Sequence, residues 1–121
     1  MQEYKSYTQL EVWKASRELV KDIYILSQDF PKEELFTLTN QLRRAAISVP
    51  SNIAEGVGRN SDKGTLQFLY IARGSLYEIE TQVLLSFDLG YIEDNHSKVI
   101  LDKVEKCRRL LYGLINYYKR K

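Results

Sequence analysis

Apolar residues recur every three or four positions along most of the chain, with polar residues between them. This spacing places the apolar side chains on one face of an α-helix, and no stretch alternates with period two for long enough to predict a strand. Interruptions divide the pattern into four predicted helices. Their apolar positions are, in chain order, Val12, Trp13, Val20, Ile23, Tyr24; Leu35, Leu38, Leu42, Ala46, Val49, Ile53; Leu69, Ala72, Leu76, Ile79, Val83; and Ile100, Val104, Cys107, Leu111, Leu114, Tyr118.

Capping residues predict where the first and third helices begin. Thr8 and Glu11 have the spacing of a capping box, so the first helix is predicted to begin near Thr8. It ends before Pro31, because the residue that precedes a proline is disfavoured in the α conformation. The third helix is predicted to open at Ser61 or Asp62, both good N-caps.

The second helix is predicted to begin close to Lys32 and to end near Gly58. Its apolar spacing continues through Pro50, which favours one long helix kinked at the proline over two helices broken there. Gly90 is a predicted C-cap for the third helix, and the fourth helix begins near Glu93. The connections are about five residues long, too short for a crossover. The sequence therefore predicts one all-α domain over residues 1–121, an antiparallel up-down-up-down four-helix bundle.

The third helix carries a second apolar stripe beside the first, formed by Leu66, Tyr70, Tyr77 and Leu84. A bundle helix needs only one such face. Either the tyrosines lie at the margin of the core with their hydroxyls in water, or the stripe is a surface for self-association. An exposed aromatic patch would favour an interface.

A polar stripe on the second helix consists of Gln41, Arg44, Ser48, Asn52 and Glu55, spaced by three and four. Solvated helix faces are usually rich in Lys and Glu, whereas this stripe is rich in amides and hydroxyls. We interpret it as a structural or interface surface, with an ordinary solvated face as the alternative.

Catalytic side chains are scarce. The single cysteine and single histidine exclude an internal disulfide and most histidine-based catalysis. Glu93-x-x-His96 has the spacing found in di-iron bundles, but those sites need a second such pair and two further glutamates. Cys107 falls on an apolar helix face and is interpreted as a core residue. The sequence therefore predicts a non-enzymatic protein without catalytic residues, metal or cofactor.

No apolar run approaches the roughly 18 residues that a membrane span requires. The first residues carry charges throughout, unlike a signal peptide. We therefore expect a soluble, cytoplasmic protein that does not associate with membranes.

The net charge of +2 conceals an uneven distribution. Residues 75–102 carry six acids and one base, whereas residues 103–121 carry seven bases and one acid. Arginine suits phosphate because its planar group donates two hydrogen bonds at once. Ordinary solvated charge is the alternative interpretation, since no RNA-binding motif accompanies the bases. The candidate nucleic-acid-binding residues are Arg43, Arg44, Arg59, Lys63, Arg73, Arg108 and Arg109.

Two sequence stretches carry a family resemblance. Residues 41–56 read QLRRAAISVPSNIAEG and residues 71–82 read IARGSLYEIETQ. Together with Gly58-Arg59, Phe30-Pro31 and Leu89-Gly90-Tyr91, these motifs resemble the four-helix-bundle family of the 23S rRNA intervening-sequence protein, the S23 ribosomal protein-like family. The likeness extends from about residue 5 to 118.

The resemblance implies a small, helical bacterial protein that is also similar to the accessory protein of diversity-generating retroelements, a basic homopentamer that binds nucleic acid. It implies a homo-oligomer, with a pentamer favoured, and supplies no catalytic residues. The leading hypothesis is an oligomeric protein that binds RNA or another polyanion, or acts as a scaffold. The alternatives are a protein-interaction module that does not bind nucleic acid and, much weaker, a metal-dependent enzyme using Glu93 and His96.

Overall fold

The structure, a computed structural model, describes residues 6–121. It contains α1 (Glu11–Ser27), α2 (Leu38–Val57), α3 (Asp62–Asp88) and α4 (Asp94–Arg120). Short 3-10 turns at Tyr7–Gln9 and Lys32–Glu34 precede the first two helices. The helices pack in a ring in which α1 contacts α2 and α4, and α3 contacts α2 and α4. The predicted all-α four-helix bundle is confirmed, and no strand occurs within residues 6–121.

The core lies along the bundle axis and contains the periodic apolar positions of every helix. Ile23, Leu42, Leu76 and Leu111 are all fully buried. Burial of such side chains is the main favourable contribution to folding, about 1.5–3 kcal/mol for each. Two of the predicted core positions are wrong: the side chains of Tyr24 and Leu35 are exposed.

The N-terminus of α1 differs from the prediction. Ser6, rather than Thr8, caps the first turn, because its Oγ accepts a hydrogen bond from the Thr8 backbone N–H at 3.1 Å. The Thr8 hydroxyl donates to the same oxygen at 2.9 Å. Leu10 occupies the N-cap position of α1 and supplies no side-chain cap. The predicted capping box between Thr8 and Glu11 is therefore wrong, since a separate 3-10 turn uses Thr8.

The second helix begins at Leu38 instead of close to Lys32. The intervening residues form a 3-10 turn and a short connection in which the Phe36 side chain is 85% exposed. The helix then runs without interruption through Pro50, as the single-helix prediction requires. Val49 and Ile53 on either side of the proline are fully buried, so tertiary packing stabilises the helix across the missing N–H.

The α2–α3 corner of the bundle is closely packed around Gly56. A Cβ atom placed on Gly56 would lie 2.9 Å from Cβ of Phe68 and 3.1 Å from the carbonyl oxygen of Thr65. Thr65 Oγ1 donates a 2.7 Å hydrogen bond to the Gly56 carbonyl oxygen. Ser61 caps α3, since its Oγ accepts from the Gly64 N–H at 3.0 Å. The predicted start of the third helix is confirmed.

The predicted glycine C-cap of α3 is also confirmed. Gly90 has a φ of +80°, a left-handed conformation that glycine adopts without strain. The Tyr91 N–H donates to the carbonyl oxygen of Ser86 at 2.9 Å, which closes the helix end. Within residues 6–121, no helix combines the length and the apolar composition needed to cross a membrane.

Candidate nucleic-acid interface

The antiparallel packing separates charge along the bundle. We define the basic end as residues 6–19, 48–75 and 108–121, the half of each helix nearest the α2–α3 connection. It carries ten lysines and arginines and four carboxylates. The remaining half, residues 20–47 and 76–107, is the acidic end, with eleven carboxylates and seven bases. The uneven distribution of charge along the sequence therefore becomes an excess of bases at one end of the bundle and an excess of carboxylates at the other.

Two separate segments form the tip of the basic end. Lys121 Nζ lies 3.3 Å from Asp62 Oδ1, which places the last turn of α4 beside the first turn of α3. Lys63 and Arg120 are exposed at this tip and form no ion pair with any of residues 6–121. Arg59 is nearby in the connection, where its guanidinium pairs with Glu55 at 2.5 Å and lies 4.4 Å from the Phe68 ring.

Arg73 and Arg109 lie further along the bundle, nearer its middle. The Arg73 guanidinium stacks on the exposed Tyr70 ring at 4.8 Å. The Arg109 side chain is 67% exposed and lies 3.8 Å from Glu105. Both guanidinium groups are on the surface, where a phosphate could reach them.

Arg43 belongs to the acidic end and joins two helices. Its Nε donates a 2.8 Å hydrogen bond to Ser27 Oγ, and its guanidinium stacks on the Tyr24 ring at 4.6 Å. These contacts connect α2 to α1. The side chain is only partly exposed, so Arg43 has a structural role that the sequence pattern did not indicate.

Arg108 joins α4 to α3 in the same way. It forms ion pairs with Glu80 of α3 and Glu105 of α4, and its guanidinium lies 4.8 Å from the Tyr77 ring. Burial disfavours its charge, but the hydrogen bonds to both carboxylates outweigh that cost and raise the pKa of Arg108 further. Its charge is largely compensated within the chain.

The polar stripe of α2 divides into a structural centre and exposed flanks. Ser75 Oγ donates to Ser48 Oγ at 2.8 Å, and the Asn52 amide donates to the same hydroxyl and to the Ser48 carbonyl oxygen, each at 2.8 Å. This network lies at the seam between α2 and α3. Gln41 and Arg44 are exposed beside it.

Arg44, the remaining candidate, lines a small depression of about 250 Å³ at this seam. Gln41, Ser48, Ser75 and Glu78 are its polar neighbours there. Arg44 forms no ion pair within residues 6–121, and it belongs to the acidic end of the bundle. It is therefore separated along the helix axis from Arg59 and Lys63.

An apolar stripe remains uncovered on α3. Its members are exposed on the side of α3 that faces away from the core: Tyr70, Ile71, Tyr77, Leu84 and Leu85. The two tyrosines also support the guanidinium groups of Arg73 and Arg108. The tyrosines pack on arginines of the same chain, which resembles the interpretation that they lie at the margin of the core. The aliphatic side chains beside them face solvent, as the interpretation of a self-association surface requires.

The catalytic candidates stay separate. Cys107 is buried, as predicted for a core residue, and burial raises the pKa of its thiol to about 11. Glu93 occupies the N-cap position of α4 without a side-chain capping hydrogen bond, and His96 is exposed about one turn later. Residues 6–121 contain no group of three or more His, Cys, Asp or Glu side chains arranged to hold a metal ion.

Two further basic residues, Lys14 and Arg17 of α1, belong to the basic end, although the distribution of charge along the sequence did not indicate them. Lys119, Arg120 and Lys121 are at the same end, although they are far from Arg59 in sequence. The predicted antiparallel order of the helices places all these bases at the same end of the bundle, and it is the sequence signal that could have identified them as one surface. Charges sorted by helix end, rather than by position along the chain, predict this surface.

Comparison with known proteins agrees with the fold. The family model described as 23S rRNA-intervening sequence protein matches residues 8–113. A crystal structure of a protein of unknown function from the S23 ribosomal protein family of Bacteroides thetaiotaomicron VPI-5482 is similar, with a TM-score of 0.80. The two chains are 24% identical, and the match covers 87% of this chain and 95% of the other. No curated protein matches the sequence significantly. With 106 consecutive residues matched by the family model, the chain belongs to the 23S rRNA-intervening sequence protein family.

Proposed function

We propose that this protein is a non-enzymatic, oligomeric nucleic-acid-binding protein whose ligand is RNA. The observation that carries the proposal is the segregation of bases at one end of the bundle. Lys63 and Arg120 are exposed there, and Lys119 is exposed in the last turn of α4. Such a surface attracts a phosphate backbone through counterion release, without requiring a sequence-specific pocket.

The exposed arginines add a second kind of contact. The guanidinium groups of Arg59 and Arg73 lie over the rings of Phe68 and Tyr70, at 4.4 and 4.8 Å, and these contacts restrict the two side chains before any ligand binds. A guanidinium fixed in this way loses less conformational entropy when it donates to a phosphate. Arg108 and Arg43 contribute less, because their guanidinium groups join two helices and are only partly exposed, whereas Arg59 pairs within its own segment and is exposed.

Fluorescence anisotropy with a labelled structured RNA tests the proposal. We expect binding that weakens steeply between about 50 and 300 mM salt. The double variant Lys63→Glu, Arg120→Glu should lower the affinity at least about tenfold, because it reverses two uncompensated charges at the tip. Lys32→Glu, an exposed base at the acidic end, is the matched control and should change affinity far less per charge. No binding at low salt, or equal losses per charge at both ends, would contradict the proposed surface.

The oligomeric part of the proposal rests on the apolar stripe of α3. Aliphatic and aromatic side chains adjoin on this one face, and such contiguous patches are typical of interfaces. The exposed flank of the polar stripe, including Gln41 and Glu55, lies on the adjacent helix α2. The family resemblance favours a pentamer. Ile71→Lys should lower the mass measured by light scattering, whereas Tyr112→Lys, at an exposed position of α4, should leave it unchanged.

The same stripe supports a second candidate function, a protein-interaction module that does not bind nucleic acid. In that case a partner protein would cover Ile71 and Leu84 in place of another copy. Complexes that persist after nuclease treatment and are lost with Ile71→Lys, together with absent RNA binding, would favour this function.

A further inference from the structure

An open groove between α1 and α4 lies at the acidic end, on the opposite half of the bundle from Lys63. The side chains of Ile25 and Val99 form its walls and are 55% and 53% exposed. Leu26 and Ile100 form its apolar floor. The groove has a volume of about 270 Å³, enough for one or two aliphatic side chains. We call it the α1–α4 groove.

Charged groups line both ends of the α1–α4 groove. At one end, Lys103 Nζ pairs with Asp22 Oδ2 at 2.6 Å, which compensates both charges. At the other end, Asp29 is exposed across from His96 and has no ion-pair partner within residues 6–121. The groove is therefore an apolar channel with one uncompensated carboxylate at its outer end.

The surroundings strengthen the negative potential of this groove. Asp102 is exposed on the same stretch of α4, and Glu93 is exposed just before the helix. The acidic end as a whole carries eleven carboxylates and seven bases, and the excess of carboxylates comes from residues 76–107, which include the α4 side of the groove. Because like charges repel at this range, a phosphate backbone or an anionic lipid surface is a poor occupant.

We propose that the α1–α4 groove binds a cationic amphipathic helix of a protein partner. An apolar side chain of that helix would insert between Ile25 and Val99, and a neighbouring lysine or arginine would pair with Asp29. This is the helix-in-groove mode of peptide recognition, in which apolar anchors supply affinity and flanking charges set orientation. The occupant is chosen by charge complementarity, and the proposal does not depend on RNA binding at the basic end.

A labelled peptide of about twelve residues, with leucines at helical spacing and lysines elsewhere, is the probe. Its anisotropy would be measured against the full chain. Asp29→Lys should weaken binding about tenfold, because it replaces an attractive charge with a repulsive one. Asp88→Lys carries the same charge change at the end of α3, outside the groove, and should weaken binding less than about twofold.

The apolar contribution has its own matched pair. Val99→Asn should weaken binding about fivefold, whereas Tyr112→Asn, at another exposed position of α4, should have little effect. Circular dichroism would verify that each variant is folded. A peptide with glutamates in place of lysines should not bind.

Three results would overturn the proposal. The first is no binding of the lysine peptide to the unaltered chain. The second is equal weakening by Asp29→Lys and Asp88→Lys, which would show general attraction to the acidic end. The third is a lower protein mass in Asp29→Lys by light scattering, which would assign the groove to a contact between copies.

Discussion

The two ends of the bundle differ in charge and in the way their connections are held. At the basic end, backbone and small side chains pack directly: Thr65 donates to the Gly56 carbonyl oxygen, and no space remains for a Cβ atom on the glycine. At the acidic end, a longer connection is held by side chains. The Tyr91 hydroxyl donates to Glu34 Oε2 at 2.7 Å, and the Phe30 and Tyr91 rings lie 5.5 Å apart. Stability thus comes from close packing at one end and from a charged hydrogen bond at the other.

This difference separates structural charges from available charges. Glu34, Arg43 and Arg108 are engaged in contacts between elements of the same chain. Lys63, at the basic end, has no such contact within residues 6–121. The proposed ligands bind to available charges such as Lys63. Substitution of a structural charge, such as Arg43 or Arg108, should therefore change the stability of the bundle more than it changes ligand binding. The following predictions test that division.

The largest effect is expected from Gly56→Ala at the basic end. The added methyl would lie 2.9 Å from Cβ of Phe68, so α2 and α3 must move apart. We expect a loss of about 1–3 kcal/mol in the free energy of unfolding, measured by urea denaturation. Gly113→Ala is the control, since the added Cβ would meet no atom within 4 Å other than the adjoining backbone of its own helix and its two chain neighbours. That variant should gain about 0.5–1 kcal/mol, as alanine is the better helix former.

A smaller loss is expected from Ser48→Ala at the α2–α3 seam. Its hydroxyl accepts hydrogen bonds from both Ser75 and Asn52, and their donors would lose this partner. The variant should lose about 1–2 kcal/mol of bundle stability. Glu55→Ala, in the exposed flank of the same stripe, should leave the bundle nearly unchanged and lower only the mass of an oligomer. If Ser48→Ala changes mass without changing the unfolding midpoint, the seam is an interface between copies.

The smallest effect concerns pH at the acidic end. The hydrogen bonds from Thr37 and Tyr91 lower the pKa of Glu34 below 4.5, its ordinary value. The stabilisation is therefore present above about pH 4.5 and is lost as pH falls through the lowered pKa. Tyr91→Phe should raise the pKa of Glu34, measured by NMR titration. The contribution of Glu34 to the loss of stability at low pH should become smaller. Tyr112→Phe, an exposed substitution, should leave the titration of Glu34 unchanged.

Most of the fold was predictable because apolar spacing and caps are local properties of the sequence. Ser61 and Gly90 gave correct boundaries for α3, and the spacing through Pro50 gave one helix. The start of α2 was predicted about one and a half turns too early. Leu35 continues the apolar spacing, yet the chain there forms a 3-10 turn and leaves that side chain exposed.

Less of the candidate site was predictable, because it depends on how the helices are rotated against one another. The pair Arg59–Glu55 follows from a spacing of four residues on a helical segment. The contacts from Arg43 to Ser27 and from Arg108 to Glu80 join residues 16 and 28 positions apart, and no local pattern indicates them. The arginines that the sequence treated as equivalent therefore divide into structural and available groups only in three dimensions.

The antiparallel order of the helices has an electrical consequence. Neighbouring helices point in opposite directions, so their macrodipoles largely cancel. The side-chain charges do not cancel, because bases collect at one end and acids at the other. The molecule therefore carries a permanent electric dipole along its long axis. The field of a nearby polyanion exerts a torque on this dipole, which turns Lys63 and Arg120 toward the polyanion and Asp29 away from it before contact is made.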